Sequence, residues 1–440
     1  MNHRDERKKS LKHNFRGRRG RVKEYGIFSL ARAALRGNQT WRPAWRKPEP
    51  RPAYDVIIVG GGGHGLATAF YLASEHGIRN VAVIEKGWIG SGNVGRNTTI
   101  VRSNYMLDRT VPFYEHSLKL WEGLSHALNY NVMFSSRGVI NLAHSPSQMD
   151  IFTRRANSMM LNGIAAEMLD PAALRRKMPL LDLSNQARFP IVGAIHQARG
   201  GSARHDAVAW GYARAADRLG VDIIENCEVI GFLRDGDAIT GVQTTRGEIR
   251  AGKTAVAVAG STSQVMALAG ITNLPIESHV LQAFVSEGMK PALDVVVTFG
   301  AGHLYISQSD KGGLVFGGDL DGYNSYAQRG NLPIVEDVAS AALAMFPAFS
   351  RVRLLRTWGG IMDMTMDGQP IITTGPLPGL YLNCGWCYEG FKATPASGFT
   401  FAWTIAKDEP HALNAPFRLD RFRRGHVLDE KGRGPYPGHH

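Results

Sequence analysis

Between residues 53 and 86 short apolar runs alternate with glycine and polar breaks, at spacings that predict a strand, a tight turn, a helix and a second strand. The run Asp55-Val56-Ile57-Ile58-Val59 is continuous enough for a strand covered on both faces, and Gly60 to Gly65 follows it directly. Small and apolar residues then recur at helical spacing from Leu66 to about His76, and Val81-Ala82-Val83-Ile84 ends in Glu85. The same periodicity predicts later helices at about Thr110–Leu124, Ser147–Leu161, Pro171–Lys177, Ala207–Leu219 and Val335–Met345. Strand patterns fall at Val139–Leu142, Asp222–Asn226, Val229–Arg234, Gly241–Thr245, Thr254–Ala259, Leu304–Ser307 and Leu314–Gly318. Leu380–Asn383 begins another, followed by a glycine-punctuated loop and a helix that places Pro395 in its first turn. The turns Arg234-Asp235-Gly236 and Thr245-Arg246-Gly247 favour antiparallel pairing in a second region. The predicted fold class is α/β, a Rossmann-like part interleaved with an α+β region on a mainly antiparallel sheet, without an internal repeat.

Each glycine of the first turn has its own task. A chain leaving a buried parallel strand must turn tightly, admit a pyrophosphate to its backbone and start a helix whose N–H groups face that anion. Gly60 makes the turn, Gly62 admits phosphate and Gly65 allows close packing of helix on strand, while Glu85 is placed to accept bonds from ribose hydroxyls. ADP is the first ligand this arrangement predicts.

Composition narrows the rest. The 440 residues are 44% hydrophobic, enough for a large core in two intertwined domains or one domain with a sizeable insertion. No apolar stretch approaches the eighteen or so residues that cross a bilayer, and the N-terminus lacks a hydrophobic core with a small-residue cleavage site, so a cytoplasmic chain without a membrane partner is expected. The three cysteines Cys227, Cys384 and Cys387 make no disulfide framework and fit a reducing compartment. Cys384-x-x-Cys387 lacks a second pair or a histidine cluster, so no metal is expected. The net charge is +13, but residues 1 to 52 hold sixteen Lys/Arg against four Asp/Glu and carry +12 of it. The folded body is therefore close to neutral. The basic head from Arg4 to Lys23 suits a solvated tail, an arm on an acidic partner, an anionic lipid or nucleic acid, the last disfavoured because Phe15 is its only stacking aromatic. An organelle-targeting role is weakened by Asp5, Glu6 and Glu24. Tyr25 to Leu35 reads as a short amphipathic helix suited to a protein surface; Trp41, Trp45 and Pro48-Pro50-Pro52 read as an extended strap into the first strand.

Ordered blocks from about Tyr54 to His426 resemble the beta subunits of heterotetrameric sarcosine oxidases, within the D-amino-acid-oxidase-like flavoproteins. The carriers are the turn from Gly60, Glu85-Lys86-Gly87-Trp88, Arg96 to Tyr105, Ala203 to Trp210, Asn226-Cys227-Glu228-Val229, Arg356-Thr357-Trp358-Gly359-Gly360, and Cys384-Gly385-Trp386 with Phe391-Lys392. The resemblance implies noncovalent FAD, FMN covalently held by a histidine, and oxidative demethylation of sarcosine to glycine and formaldehyde, or a methylene-folate product, with peroxide formation. It also implies alpha, gamma and delta partner subunits and a small secondary-amine substrate. The division it implies is a basic extension (1–52), an FAD-binding domain (53–110, 192–270 and 350–410), a substrate domain (111–191 and 271–349) and a tail (411–440).

Carried over residue by residue, the resemblance puts FAD against Gly60, Gly62, Gly63, His64 and Gly65, then Glu85 and Lys86, Arg96, Asn97 and Thr98, Val229, and the late loop with Gly390 and Lys392. It puts covalent FMN on His205, with Arg204 beside it. From the residues alone, a histidine next to an arginine at a helix start is more often a capping or surface group than a cofactor anchor. A neutral imidazole nitrogen is a nucleophile toward the flavin 8-methyl position, and Arg204 suits phosphate or electron-rich flavin atoms. By resemblance Arg102 and Lys392 hold the substrate carboxylate, a fork and a point charge that aim the N-methyl group at the flavin. His303 and Tyr305, on a predicted strand, are candidates to close the pocket. Glu389 departs from the pattern, standing where glycine is expected, and Cys387-Tyr388 replaces smaller residues. A carboxylate at 389 either repels an acidic substrate or reduced flavin, or turns to solvent. Two alternatives stay open: a dehydrogenase subunit acting on proline or another secondary amino acid, and a non-catalytic flavin-bound scaffold with a basic anion-binding arm.

Overall fold

The strand Ala53–Val59 is flanked on both sides by parallel neighbours, so its continuous apolar run has no solvent face to accommodate. Val81–Ile84 pairs with it on one side and the second half of Gly247–Val256 on the other, with Ile57 opposite both Ala82 and Thr254. Asp222–Ile224 extends the sheet beyond Val81–Ile84. Leu380–Cys384 extends the other side in parallel, and Ile371–Thr374 closes that edge antiparallel. This is a computed structural model, describing residues 26–39, 43–299 and 304–430, apart from the side chain of Asp319. Residues to Ala44 form one unit and those from Trp45 another. Within the first, Ile27–Leu35 is helical, with Ile27, Phe28 and Leu35 exposed; the expected start at Tyr25 lies outside the described residues. The basic head from Arg4 to Lys23, Trp41 and His303 lie outside the described residues.

The turns at 235 and 246 do produce an antiparallel meander, but in the first sheet and not in a second region. Val229–Asp235, Ala238–Thr244 and the first half of Gly247–Val256 pair in sequence. One strand thus serves two ladders, antiparallel at its start and parallel at its end. The expected strand through Ala259 stops at Val256, because the chain there bends across the glycine turn and enters a short turn at Ala259–Ser261, with Ala259 at φ +48°.

A second eight-stranded sheet begins at Leu354–Met364 and Glu277–Gly288 and runs through Gly313–Leu320, Leu304–Gln308, Val296–Phe299, Val139–Ala143, Gly193–Gln197 and Glu167–Leu169. All its pairings are antiparallel except that of Val296–Phe299 with Val139–Ala143. The division drawn at residues 192 and 350 leaves two strands of this sheet, Gly193–Gln197 and Leu354–Met364, on the FAD-binding side. The strap is present: Trp45 donates to Glu225 at 3.2 Å, and Arg46 and Arg51 meet Asp222 at 3.3 and 2.9 Å.

The helix after the glycine turn, Gly63–Glu75, is buried along nearly its whole length. Its main partner is the late helix Gly390–Lys407. That helix starts five residues before Pro395, so the proline sits in its second turn and not its first, and Gly390 and Lys392 lie in the first turn instead of a loop. Pro395 supplies no N–H to the carbonyl of Phe391. The carbonyl of Lys392 meanwhile accepts from Ser117 Oγ at 2.7 Å and Trp121 Nε1 at 2.8 Å, both on the helix Val111–Leu128.

The two helices touch through small residues. A Cβ added at Gly398 would stand 2.4 Å from Ala67 Cβ and 2.7 Å from its carbonyl carbon. Gly398→Ala is therefore expected to lower stability by about 1–3 kcal/mol, the cost of overpacking a closed interface. Thermal denaturation of the variant should show this loss with the secondary-structure spectrum unchanged.

Candidate active site

The three glycines of the first turn are constrained in three different ways. Gly60 has φ +108°, and a Cβ there would meet the Ala257 carbonyl oxygen at 2.3 Å. A Cβ on Gly65 would meet the Gly60 carbonyl oxygen at 2.0 Å, so only hydrogen lets the helix start so close to the strand. Gly62 has nothing within 4 Å of its added Cβ. Its open side faces a cavity of about 2000 Å³, at the N-terminus of Gly63–Glu75. Such a cradle at a helix N-terminus fits a pyrophosphate. Glu85 lines the same cavity, and its carboxylate also ties the turn together by accepting the Gly61 and Gly87 N–H groups, each at 2.9 Å.

The cavity extends from this turn to the start of the late helix. Gly60, Gly62, Gly63, His64 and Glu85 line it, as do Lys86, Arg96, Asn97, Thr98 and Val229; Gly390 and Lys392 line it too, Gly390 close to His64 of the turn, and Gly65 lies behind the turn. His64 stacks on Trp386 with ring centroids 4.3 Å apart. Its Nδ1 meets Ser397 Oγ at 2.8 Å, and burial lowers its pKa to about 3, so the ring is neutral. Arg96 bonds to Gln328 at 2.9 Å, and its carbonyl accepts from Trp358. Tyr305 lines the cavity from Leu304–Gln308, and burial pushes its hydroxyl up to about 12. Asp363 also faces the space; burial pushes its carboxyl up to about 6, although the Gly385 N–H bonds it at 2.6 Å.

Arg102 and Lys392, 290 positions apart in the chain, converge on one carboxylate, and it belongs to Glu389. Arg102 reaches its oxygens at 3.2 and 3.3 Å and Lys392 at 2.9 Å, while the Tyr105 hydroxyl donates to the same group. Glu389 is 6% exposed, so it neither turns to solvent nor stands as an uncompensated repelling charge. Burial opposes its ionisation, but Arg102, Lys392 and the Tyr105 hydroxyl outweigh that and hold the carboxyl well below the ordinary range. Arg102 also bonds Asn104 Oδ1 at 2.8 Å and lies 4.9 Å over the Tyr105 ring; Asn104 in turn donates to Asn141 at 2.6 Å on the second sheet. The cations sit where both sheets meet the cavity.

His205 lies elsewhere. It opens the helix His205–Arg218, two residues earlier than expected, is not part of the cavity wall, and burial lowers its pKa so that the ring is neutral at neutral pH. Arg204 is paired in a fork with Asp206, at 3.1 and 2.6 Å, with Asp310 at 3.9 Å. The Cys384 and Cys387 thiols are buried, and Cys387 is pushed up to about 12, which keeps it protonated. Among the described residues no cluster of three or more His, Cys, Asp or Glu could hold a metal, and no helix is long and apolar enough to cross a membrane.

Sequence reasoning missed Tyr105, Asn104, Arg155 and Glu430 on this wall. Tyr105 and Asn104 stood inside a block already singled out. Arg155 left a signal: Gln148, Ile151, Phe152 and Arg155 follow i, i+3, i+4, i+7 on Pro146–Leu161, and all four line the cavity.

The comparisons with known proteins agree on a family. A family model described as FAD dependent oxidoreductase (DAO) matches residues 55–403. Sarcosine oxidase subunit beta of Rhizobium meliloti (strain 1021) is 65% identical over 94% of this chain and 100% of its own length. That of Arthrobacter sp is 54% identical over 88% of this chain and 96% of its own. Among solved structures, L-proline dehydrogenase from P. horikoshii superposes with TM-score 0.80 at 28% identity, covering 87% of this chain and 100% of that one.

Two variants probe the cavity. Gly62 has φ −78°, which suits alanine. Gly62→Ala should therefore leave the melting temperature of the flavin-free protein unchanged while weakening FAD by about tenfold, near 1.4 kcal/mol, in a fluorescence titration. Glu389→Gln strands two buried cations and should cost about 3–5 kcal/mol. The carboxyl is held below its ordinary value of 4.5, so its contribution is complete above that pH and drains away as pH falls. Melting curves of the two proteins should lie a constant distance apart from pH 5 to 8 and converge in stronger acid.

Proposed function

The chain belongs to the FAD dependent oxidoreductase family, among its sarcosine oxidase beta subunits, and on that premise we propose that it oxidatively demethylates sarcosine to glycine and formaldehyde as the flavin subunit of a larger complex. It is an FAD-dependent amine oxidoreductase. The observation that carries the substrate reading is the convergence of Arg102 and Lys392 on the cavity wall. Two buried cations facing one internal carboxylate leave an excess positive charge suited to an amino acid's carboxylate.

Gly62 and the first turn of Gly63–Glu75 would hold the pyrophosphate, Glu85 the ribose hydroxyls, and the opening turn of Gly390–Lys407 the ring's electron-accepting end. FAD, when bound, would supply the hydride acceptor for the N-methyl carbon; His205 would hold a second flavin, FMN, which would supply the outlet of electrons to oxygen. Arg102 and Lys392 orient the substrate, so that its methyl group and not its carboxylate meets the acceptor. Tyr305 and Tyr105, both protonated, exclude water without adding charge. A neutral His205 is the form that attacks as a nucleophile, and its lowered pKa maintains that form at neutral pH. Alpha, gamma and delta subunits complete the complex in this reading, and a cytoplasmic location agrees with the low cysteine usage.

The likeness to L-proline dehydrogenase favours a second reading, in which a cyclic secondary amino acid is the substrate and a partner takes the electrons. Substrate screening with and without oxygen separates the two. Sarcosine-dependent bleaching with peroxide release is expected for the first; bleaching by proline alone without peroxide would replace it with the second. Denatured protein should retain one flavin on the peptide containing His205. In His205→Ala that fluorescence should vanish from the gel, while FAD remains extractable. Covalent flavin persisting in the variant would remove the assignment.

A further inference from the structure

On the cavity wall the charges do not pair off evenly. Glu389 already answers Arg102 and Lys392. A second carboxylate, Glu430, accepts from the Met106 and Leu107 N–H groups, at 2.8 and 3.3 Å, and from the Thr110 hydroxyl. The remaining charge is Arg155. It stands at the end of the cavity-facing stripe of Pro146–Leu161, its guanidinium 5.5 Å from the Phe152 ring. Its Nε is buried without a hydrogen-bond partner, and it forms no ion pair among the described residues.

An arginine in that state is unusual. Arg155 is half-buried, and a buried Nε–H left without an acceptor costs about 1–3 kcal/mol. Two carboxylates lie in its electrostatic reach, Glu389 and Glu430, yet the hydrogen bonds each accepts come from other donors. Arg155 therefore brings an unmatched charge to the cavity wall that Arg102 and Lys392 also line.

We propose that Arg155 is a substrate-binding residue, the third cation of the site, whose guanidinium receives the carboxylate of the amino acid. Resting on the reading above that this cavity oxidises an N-methyl amino acid, it deepens it as follows. Three cations then face three carboxylates, Glu389 and Glu430 from the chain and one brought by the ligand. The ligand need not displace Glu389 to find a partner. The same arithmetic selects against amines that lack an acid, because they leave Arg155 as it stands in the free protein.

The test uses the assembled, flavin-loaded enzyme with Arg155→Gln and Arg155→Lys. Two quantities are measured: KM for sarcosine, and the dissociation constant of methoxyacetate read from the flavin absorbance. Methoxyacetate keeps the carboxylate and chain of sarcosine but has an ether oxygen in place of the amine, so its binding needs no turnover. Arg155→Gln should raise both constants roughly ten- to hundredfold with kcat changed less than threefold, and Arg155→Lys should recover most of the loss. Constants within twofold of wild type in Arg155→Gln, or a fall in kcat at unchanged KM, would overturn the proposal. Should Arg155→Gln fail to retain flavin, Arg155→Lys decides: losing the planar fork should weaken methoxyacetate about three- to tenfold, and an unchanged constant refutes the role. If wild type binds methoxyacetate but never turns over sarcosine, the demethylation reading fails while the carboxylate test on Arg155 still stands.

Discussion

One buried carboxylate organises the reactive end of this protein. Glu389 draws Arg102, from the first third of the chain, and Lys392, from its last eighth, onto the same two oxygens. Two cations desolvated side by side would repel each other strongly at low dielectric, and neither could hold its place without an anion between them. The tyrosine stack beneath them reinforces the grouping: Tyr105 lies parallel to Tyr114 at 3.6 Å and gives its hydroxyl to Glu389. The substrate end is thus built before any ligand arrives.

The glycine turn is fixed by steric closeness in place of charge. Gly60 and Gly65 exist as glycines because backbone carbonyls occupy the space a methyl group would need, whereas Gly62 keeps its space open. The helices Gly63–Glu75 and Gly390–Lys407 both begin at the cavity and lie against each other with Gly398 on Ala67. The cavity wall at the glycine turn is thereby fixed by one packed pair of helices, not by loops.

Much of this was legible from the sequence, for physical reasons that also explain what was not. Continuous apolar runs such as Val56–Val59 and Val81–Ile84 are unambiguous because both faces are covered. Glu277–Gly288 escaped because it buries Ser278, His279, Gln282 and Ser286, each satisfied by hydrogen bonds that periodicity does not record. Leu354–Met364 escaped because its first half exposes leucines and its centre is Gly359-Gly360, where a Cβ on Gly359 would strike Val280 at 2.8 Å. Turn chemistry at 235 and 246 announced antiparallel pairing but carries no information on which sheet receives it. At the site, Glu389 looked like an intruder in a pattern of small residues. Only the fold shows that Arg102 stands opposite it.

Pro395 gives the late helix an unusual suspension. Without an N–H at 395 the opening turn loses one rung of its own ladder, and the carbonyl of Lys392 is held by Ser117 and Trp121 of a neighbouring helix. The lysine is consequently hung from Val111–Leu128 as much as from the rod it belongs to. A shift of that neighbour would act on the backbone that carries the ammonium held at Glu389, while the shaft beyond the proline is wedged against Ala67.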